Sequence, residues 1–167
     1  MKDFIFIAGA PGSGKSTTAS ALQKQLNSPL FEFAWIPEFR NKGKEELSYS
    51  EEESFSFENL ILVSKNYAKH GFKNVIITDL NNKYIEQLPT IYADYNFSIF
   101  TLIIEDENIL KARVLNESRS SGYRDWEQAI KINQSLIDRD AYKNEIFIKL
   151  KDKSIEHVIT EILSKIN

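Results

Sequence analysis

Hydrophobic positions fall into five short clusters separated by stretches with helical spacing. Phe4-Ile5-Phe6-Ile7-Ala8 is an unbroken apolar run, the pattern of a parallel strand covered on both faces. Val75-Ile76-Ile77-Thr78-Asp79, Phe97 to Ile104 and Ile146 to Leu150 read the same way. Phe31, Phe33 and Trp35 alternate with Glu32 and Ala34. That alternation predicts a second strand, ended by Pro37. Between these runs the period changes. Ser16 to Leu26 is helical, with small residues early. Ser50-Glu51-Glu52-Glu53 is a capping box, serine followed three residues later by glutamate. It predicts a helix to about His70, closed by Gly71 in the left-handed conformation. Lys83 to Tyr92 is a short helix interrupted by Pro89, and Asp106 caps a helix through about Glu117. Asp125-Trp126-Glu127-Gln128 opens a helix to about Tyr142, and Ser154 to Ile166 forms the last one. The charged stretch from Glu38 to Leu47, with Gly43, reads as a loop. Strands alternating with helices predict a parallel sheet covered by helices on both faces.

At 167 residues the chain predicts one domain spanning 1–167. Its composition, 42% hydrophobic and 27% charged, is that of a globular protein and argues against disorder. There is no cysteine, so disulfides and cysteine-zinc sites are excluded. Two histidines, His70 and His157, are too few for a histidine metal cage. A net charge of -3 disfavours non-specific duplex binding, which needs a basic face. No apolar run approaches the ~20 residues of a membrane span. Phe4 to Ala8 is too short for the apolar core of a signal peptide. The expected location is cytoplasmic.

One motif carries chemistry. Gly9-Ala10-Pro11-Gly12-Ser13-Gly14-Lys15-Ser16, with Thr17 following, fits G-x-x-x-x-G-K-[ST]. A chance match in a chain of this length is on the order of one in a hundred. The motif also sits where its chemistry needs it, between a strand and a helix. Glycines let successive backbone N–H groups face one concavity, and the helix opening at Lys15 adds its positive dipole end. Lys15 is placed for the β- and γ-phosphates of a nucleotide, and the Ser16 hydroxyl for Mg²⁺. Asp79 ends the third strand, as does an acid that holds Mg²⁺ directly or through water. Arg113, Arg119 and Arg124 gather around a loop containing Gly122 and two serines. Arginines closing over a transferring phosphoryl group stabilise its charge and exclude water.

With these residues the chain resembles the small P-loop kinases. That group comprises the adenylate kinase, shikimate and gluconate kinase, chloramphenicol phosphotransferase and zeta-toxin-like proteins. The resemblance implies a three-layer α/β/α fold with a five-stranded parallel sheet in the order 2-3-1-4-5. It implies a short lid over about residues 113–126, bearing Arg119 and Arg124, and an acceptor site over the second and third strands. Relatives that phosphorylate a hydroxyl carry an acid after the second strand. Here the region reads Trp35-Ile36-Pro37-Glu38-Phe39-Arg40, which makes Glu38, with Asp79 as the alternative, the candidate base, Arg40 a candidate for an anionic acceptor, and Trp35 a candidate stacking surface. The resemblance places adenine near Lys151-Asp152.

The expected activity is ATP- and Mg²⁺-dependent phosphoryl transfer to a small-molecule acceptor, a hydroxyl before a nucleotide phosphate. Lys15, Asp79, Glu38, Arg119 and Arg124 are the expected catalytic residues. Two alternatives stay open: an ATP-binding, slowly hydrolysing module acting through a protein partner, and a polynucleotide 5′-end kinase. A GTPase is disfavoured, because Asn82-Lys83-Tyr84-Ile85 lacks the acid of the guanine-reading motif.

Overall fold

The computed structural model describes residues 1–36, 47–118 and 121–166. Five strands form one parallel sheet in the order β2-β3-β1-β4-β5. They are β1 (Phe4–Gly9), β2 (Leu30–Glu32), β3 (Val75–Thr78), β4 (Phe97–Ile103) and β5 (Glu145–Lys149). The helices are α1 (Lys15–Leu26), α2 (Tyr49–Lys69), α3 (Asn82–Ile85), α4 (Leu88–Ile91), α5 (Glu107–Leu115), α6 (Trp126–Asp138) and α7 (Ile155–Ile166). The fold class and the strand order are those expected.

The apolar run of β1 explains its central place. It pairs with β3 through Phe4↔Val75 to Ile7↔Thr78 and with β4 through Phe4↔Phe97 to Gly9↔Leu102. Alternate side chains then serve opposite faces of the sheet. Ile5 and Ile7 join an aliphatic core with Leu22, Leu102, Leu110 and Ile162. Phe4, Phe6 and Ala8 join a second core rich in rings, against α2 and the α3–α4 segment. There Tyr92 meets Phe4 and Phe6 edge-on, with centroids 4.7 and 5.0 Å apart. Such pairs add about 0.5–1.5 kcal/mol each beyond area burial. Among the described residues no helix is long and apolar enough to cross a membrane.

Two local expectations are corrected. The second strand ends at Glu32, and Phe33–Trp35 form a turn of 3-10 helix. Glu32 pairs with Thr78, the last residue of β3, because Asp79 turns to a left-handed φ of 68°. With no ladder left to join, the chain curls. Phe33 drops into the ring-rich core while Trp35 stays 42% exposed. The capping box belongs to Ser48 and Glu51, not to Ser50 and Glu53. Glu53 instead lies on the buried face, where it accepts hydrogen bonds from Asn81 and Tyr84 and pairs with Lys83. The caps at Asp106 and Asp125 and the left-handed Gly71 are as expected.

Candidate active site

The loop from Gly9 to Gly14 joins the carboxyl end of the central strand to the amino end of α1. Its shape depends on missing side chains. At Gly9, with φ 142°, a Cβ would lie 2.5 Å from Ser13 Oγ and 2.9 Å from the Leu102 carbonyl. At Gly12, with φ 89°, a Cβ would lie 2.7 Å from Val114 Cγ2. The loop is therefore seated directly on α5. Ser13 is 1% exposed, and its hydroxyl finds no partner among the described residues. A buried polar atom without a partner is costly, and a bound phosphate oxygen would satisfy it.

Charged groups converge beside this loop from three strand ends. Lys15 Nζ donates to the Ala10 carbonyl at 3.4 Å and stands 3.6 Å from Asp79 Oδ1. The Ser16 hydroxyl donates to Glu32 Oε1. Burial pushes the Asp79 carboxyl above its ordinary value; Lys15 opposes the shift and Glu32 adds to it. Ser16, Glu32 and Asp79 thus offer hard oxygens around one point at the entrance to α1. Mg²⁺ held together with nucleotide phosphates needs only one or two protein carboxylates, so this donor set fits it. The cradle of the Gly9–Gly14 loop likewise fits a polyphosphate.

Glu32 is the functional candidate that sequence reasoning missed. Its signal was present: it ends a strand, and ligands of parallel α/β sheets gather outside the carboxyl ends of the strands. Extending the strand to Trp35 hid it as an ordinary outward residue. Glu38, Arg40 and Arg119 lie outside the described residues.

A cleft of about 1060 Å³ runs over these groups, lined also by Ala34, Trp35, Arg113 and Tyr123. A neighbouring cavity of about 820 Å³ lies between Glu105–Glu107 and Lys151–Lys153. Arg113, Leu150 and Lys153 line both. This is where Lys151-Asp152 was expected to receive adenine. Arg124 is not among the residues lining the cleft; its guanidinium donates to the carbonyls of Ser121 and Tyr123, at 2.6 and 2.8 Å. Asn133 of α6 is buried and holds both backbone polar groups of Ile104. Its amide donates to the Ile104 carbonyl at 2.7 Å, and its Oδ1 accepts from the Ile104 N–H at 3.3 Å. That grip fixes the wall of the smaller cavity.

No family model matches the chain. An adenylate kinase of Helicobacter pylori (strain ATCC 700392 / 26695) is 26% identical over 185 aligned positions, covering 97% of this chain and 95% of that one. The tunicamycin resistance protein of Deinococcus radiodurans superposes with a TM-score of 0.76 at 16% identity, over 98% of this chain and 95% of that one. A gluconokinase from Sinorhizobium meliloti 1021 superposes with a TM-score of 0.67 at 14% identity, over 97% and 90%.

Proposed function

Because the chain is a small P-loop kinase, we propose that it moves the γ-phosphate of ATP onto a hydroxyl of a small-molecule acceptor. The observation that carries this reading is the meeting of Lys15, Ser16, Glu32 and Asp79 at the carboxyl ends of β1, β2 and β3. Phosphoryl transfer needs positioning and charge stabilisation more than covalent help from the protein. The Gly9–Ser16 loop and Thr17 hold the donor's phosphates, with Lys15 on the β- and γ-groups. Ser16 and Asp79 would hold Mg²⁺, which would offset negative charge on the phosphates.

The acceptor oxygen attacks the γ-phosphorus, the bond to the ADP oxygen breaks, and the acceptor's proton passes to a carboxylate. Glu32 takes the base role expected of Glu38, because its carboxylate already stands at Ser16. Asp79 orients the acceptor from the other side. Arg113 faces the donor end of the cleft, and Arg119 and Arg124 close on the γ-phosphate. Arg124 must first exchange its bonds to Ser121 and Tyr123.

The likeness to adenylate kinases favours a second reading, in which the acceptor is a nucleoside monophosphate. The test is ATP consumption with Mg²⁺ against nucleosides, nucleoside monophosphates, sugars, sugar acids, aminoglycosides and oligonucleotide 5′-ends. One acceptor should stimulate turnover and appear phosphorylated, and Lys15→Ala should abolish the transfer without unfolding the protein. ATP binding that no acceptor stimulates would return the protein to the class of slow ATPase modules.

A further inference from the structure

We infer that Glu53 is a positioning residue: from α2 it holds the corner on which Asp79 turns, and so keeps the Asp79 carboxylate beside the phosphate loop. The inference rests on the kinase reading above and adds to it a residue that no strand end contributes.

The place of Asp79 is set by its backbone. Its Oδ1 stands 3.6 Å from Lys15 Nζ, too long for a directed hydrogen bond. The backbone at this point is left-handed, at φ 68°. Aspartate tolerates that conformation without preferring it, and such a residue keeps it only where its surroundings over-determine it. The sheet secures the side before Asp79. Thr78 pairs with Ile7 and Glu32, and its hydroxyl donates to the Ile7 carbonyl at 3.0 Å. The side after Asp79 has left the sheet, and there Asn81 takes over. Its carbonyl accepts from the N–H groups of Tyr84 and Ile85, at 2.9 and 3.1 Å. Its side-chain amide donates to Glu53 Oε1.

That last bond is not the one α3 asks for. Asn81 is the N-cap of α3, and asparagine is among the best capping residues. Yet among the described residues no side-chain bond caps this helix; the amide is turned to α2 instead. The Glu53 carboxylate is spent on the same corner. Its Oε1 takes Asn81, and its Oε2 pairs with Lys83 and accepts from the Tyr84 hydroxyl at 3.4 Å. All three partners come from the segment that follows Asp79.

Glu53 is 8% exposed and sits one turn before Phe57 on the buried face of α2. Phe57 stacks on Tyr84 at 4.2 Å, so the carboxylate is itself firmly based. A buried ion pair adds little net stability over an apolar residue of similar volume. Methionine would fill the space but give Asn81 no acceptor. What the carboxylate adds is direction.

The probe is MgATP, with release of ³²P-phosphate to water or transfer to an acceptor from the panel above. A reacting group displaced by about 1 Å can cost on the order of 10²-fold in rate. Glu53→Met should therefore lower kcat by about 10-fold or more and leave the ATP KM within about 2-fold of wild type. Glu53→Gln, which keeps an acceptor for Asn81, should recover most of the loss. In an Asp79→Asn background Glu53→Met should cost less than about 2-fold further, because the two residues act as one unit. Crystal structures should show the Asp79 carboxylate displaced from Lys15 in Glu53→Met and in place in Glu53→Gln. Should Glu53→Met fail to fold, Asn81→Ser breaks the same bond from the exposed side and carries the same expectations. An unchanged kcat, an unmoved Asp79, or an equal loss in the Asp79→Asn background overturns the inference and leaves the kinase reading standing. A wild type that binds ATP and turns none over sinks the kinase reading, while the crystal structures still decide whether Glu53 holds Asp79.

Discussion

The parts of the cleft proposed for donor and acceptor are built from different material. The donor end is a backbone device: Gly9 and Gly12 hold it in shape because a Cβ at either position would strike Ser13 or Val114. The acceptor end is a side-chain device, with Glu32 and Trp35 projecting from the point where β2 runs out of partner and curls. The first kind of site is nearly the same wherever a triphosphate must be held. The second can be rewritten by changing two or three side chains without disturbing the sheet. A chain can therefore keep the backbone cradle unchanged while its other end is altered.

The sharpest way to break this contrast is to exchange carboxylates at the acceptor end. Glu32→Gln should lower kcat by about 10²-fold or more, the loss typical of a removed general base. Glu38→Gln should leave kcat within a few-fold of wild type. The reverse result in steady-state kinetics would return the base to Glu38 and detach Glu32 from the chemistry.

The donor end should fail differently. Gly12→Ala places a methyl group against Val114 at a positive φ, a combination that costs about 1–3 kcal/mol. Thermal unfolding should fall by several degrees at neutral pH, and the ATP KM should rise. An unchanged Tm would mean that the loop and α5 yield without strain.

The smallest effect lies where the two ends meet, and its sign is the informative part. The Asp79 carboxyl has its pKa raised in the folded protein. The folded state therefore binds its proton more tightly than the unfolded chain does. Its stabilising contribution is complete below the ordinary carboxylate value and is lost as pH rises through the raised one. At pH 7 the ionised group works against stability. Asp79→Asn should raise Tm modestly at pH 7, helped by asparagine's tolerance of the left-handed φ, while turnover falls. The Tm difference should shrink as the pH drops below the carboxylate range. A variant less stable than wild type at pH 7 would show that the Lys15 contact outweighs desolvation.

These differences also mark what the sequence could show. The Gly9–Ser16 motif and the run Phe4–Ala8 were legible because their residue types answer to backbone and burial alone, and both local requirements agree. Asp79 was legible as a strand-ending acid for the same reason. Glu32 was not, because its place depends on where β3 stops, and that depends on the φ of Asp79, a residue forty-seven positions later. Ser48 and Ser50 each stand three residues before a glutamate. Only the burial of Glu53 against Asn81 and Lys83 decides between them. Arg124 fits the pattern of a phosphate ligand, yet it bonds to its own loop, since carbonyls one and three residues back compete for its guanidinium.

Asn133 carries a last consequence. β4 ends at Ile103, but the next residue, Ile104, keeps both of its backbone hydrogen bonds, supplied by a helix side chain in place of a neighbouring strand. The sheet is thereby lengthened by one rung that no strand contributes. The wall of the smaller cavity begins on that rung, so its inner edge is tied to the core of the protein by side-chain bonds of the kind a loop lacks.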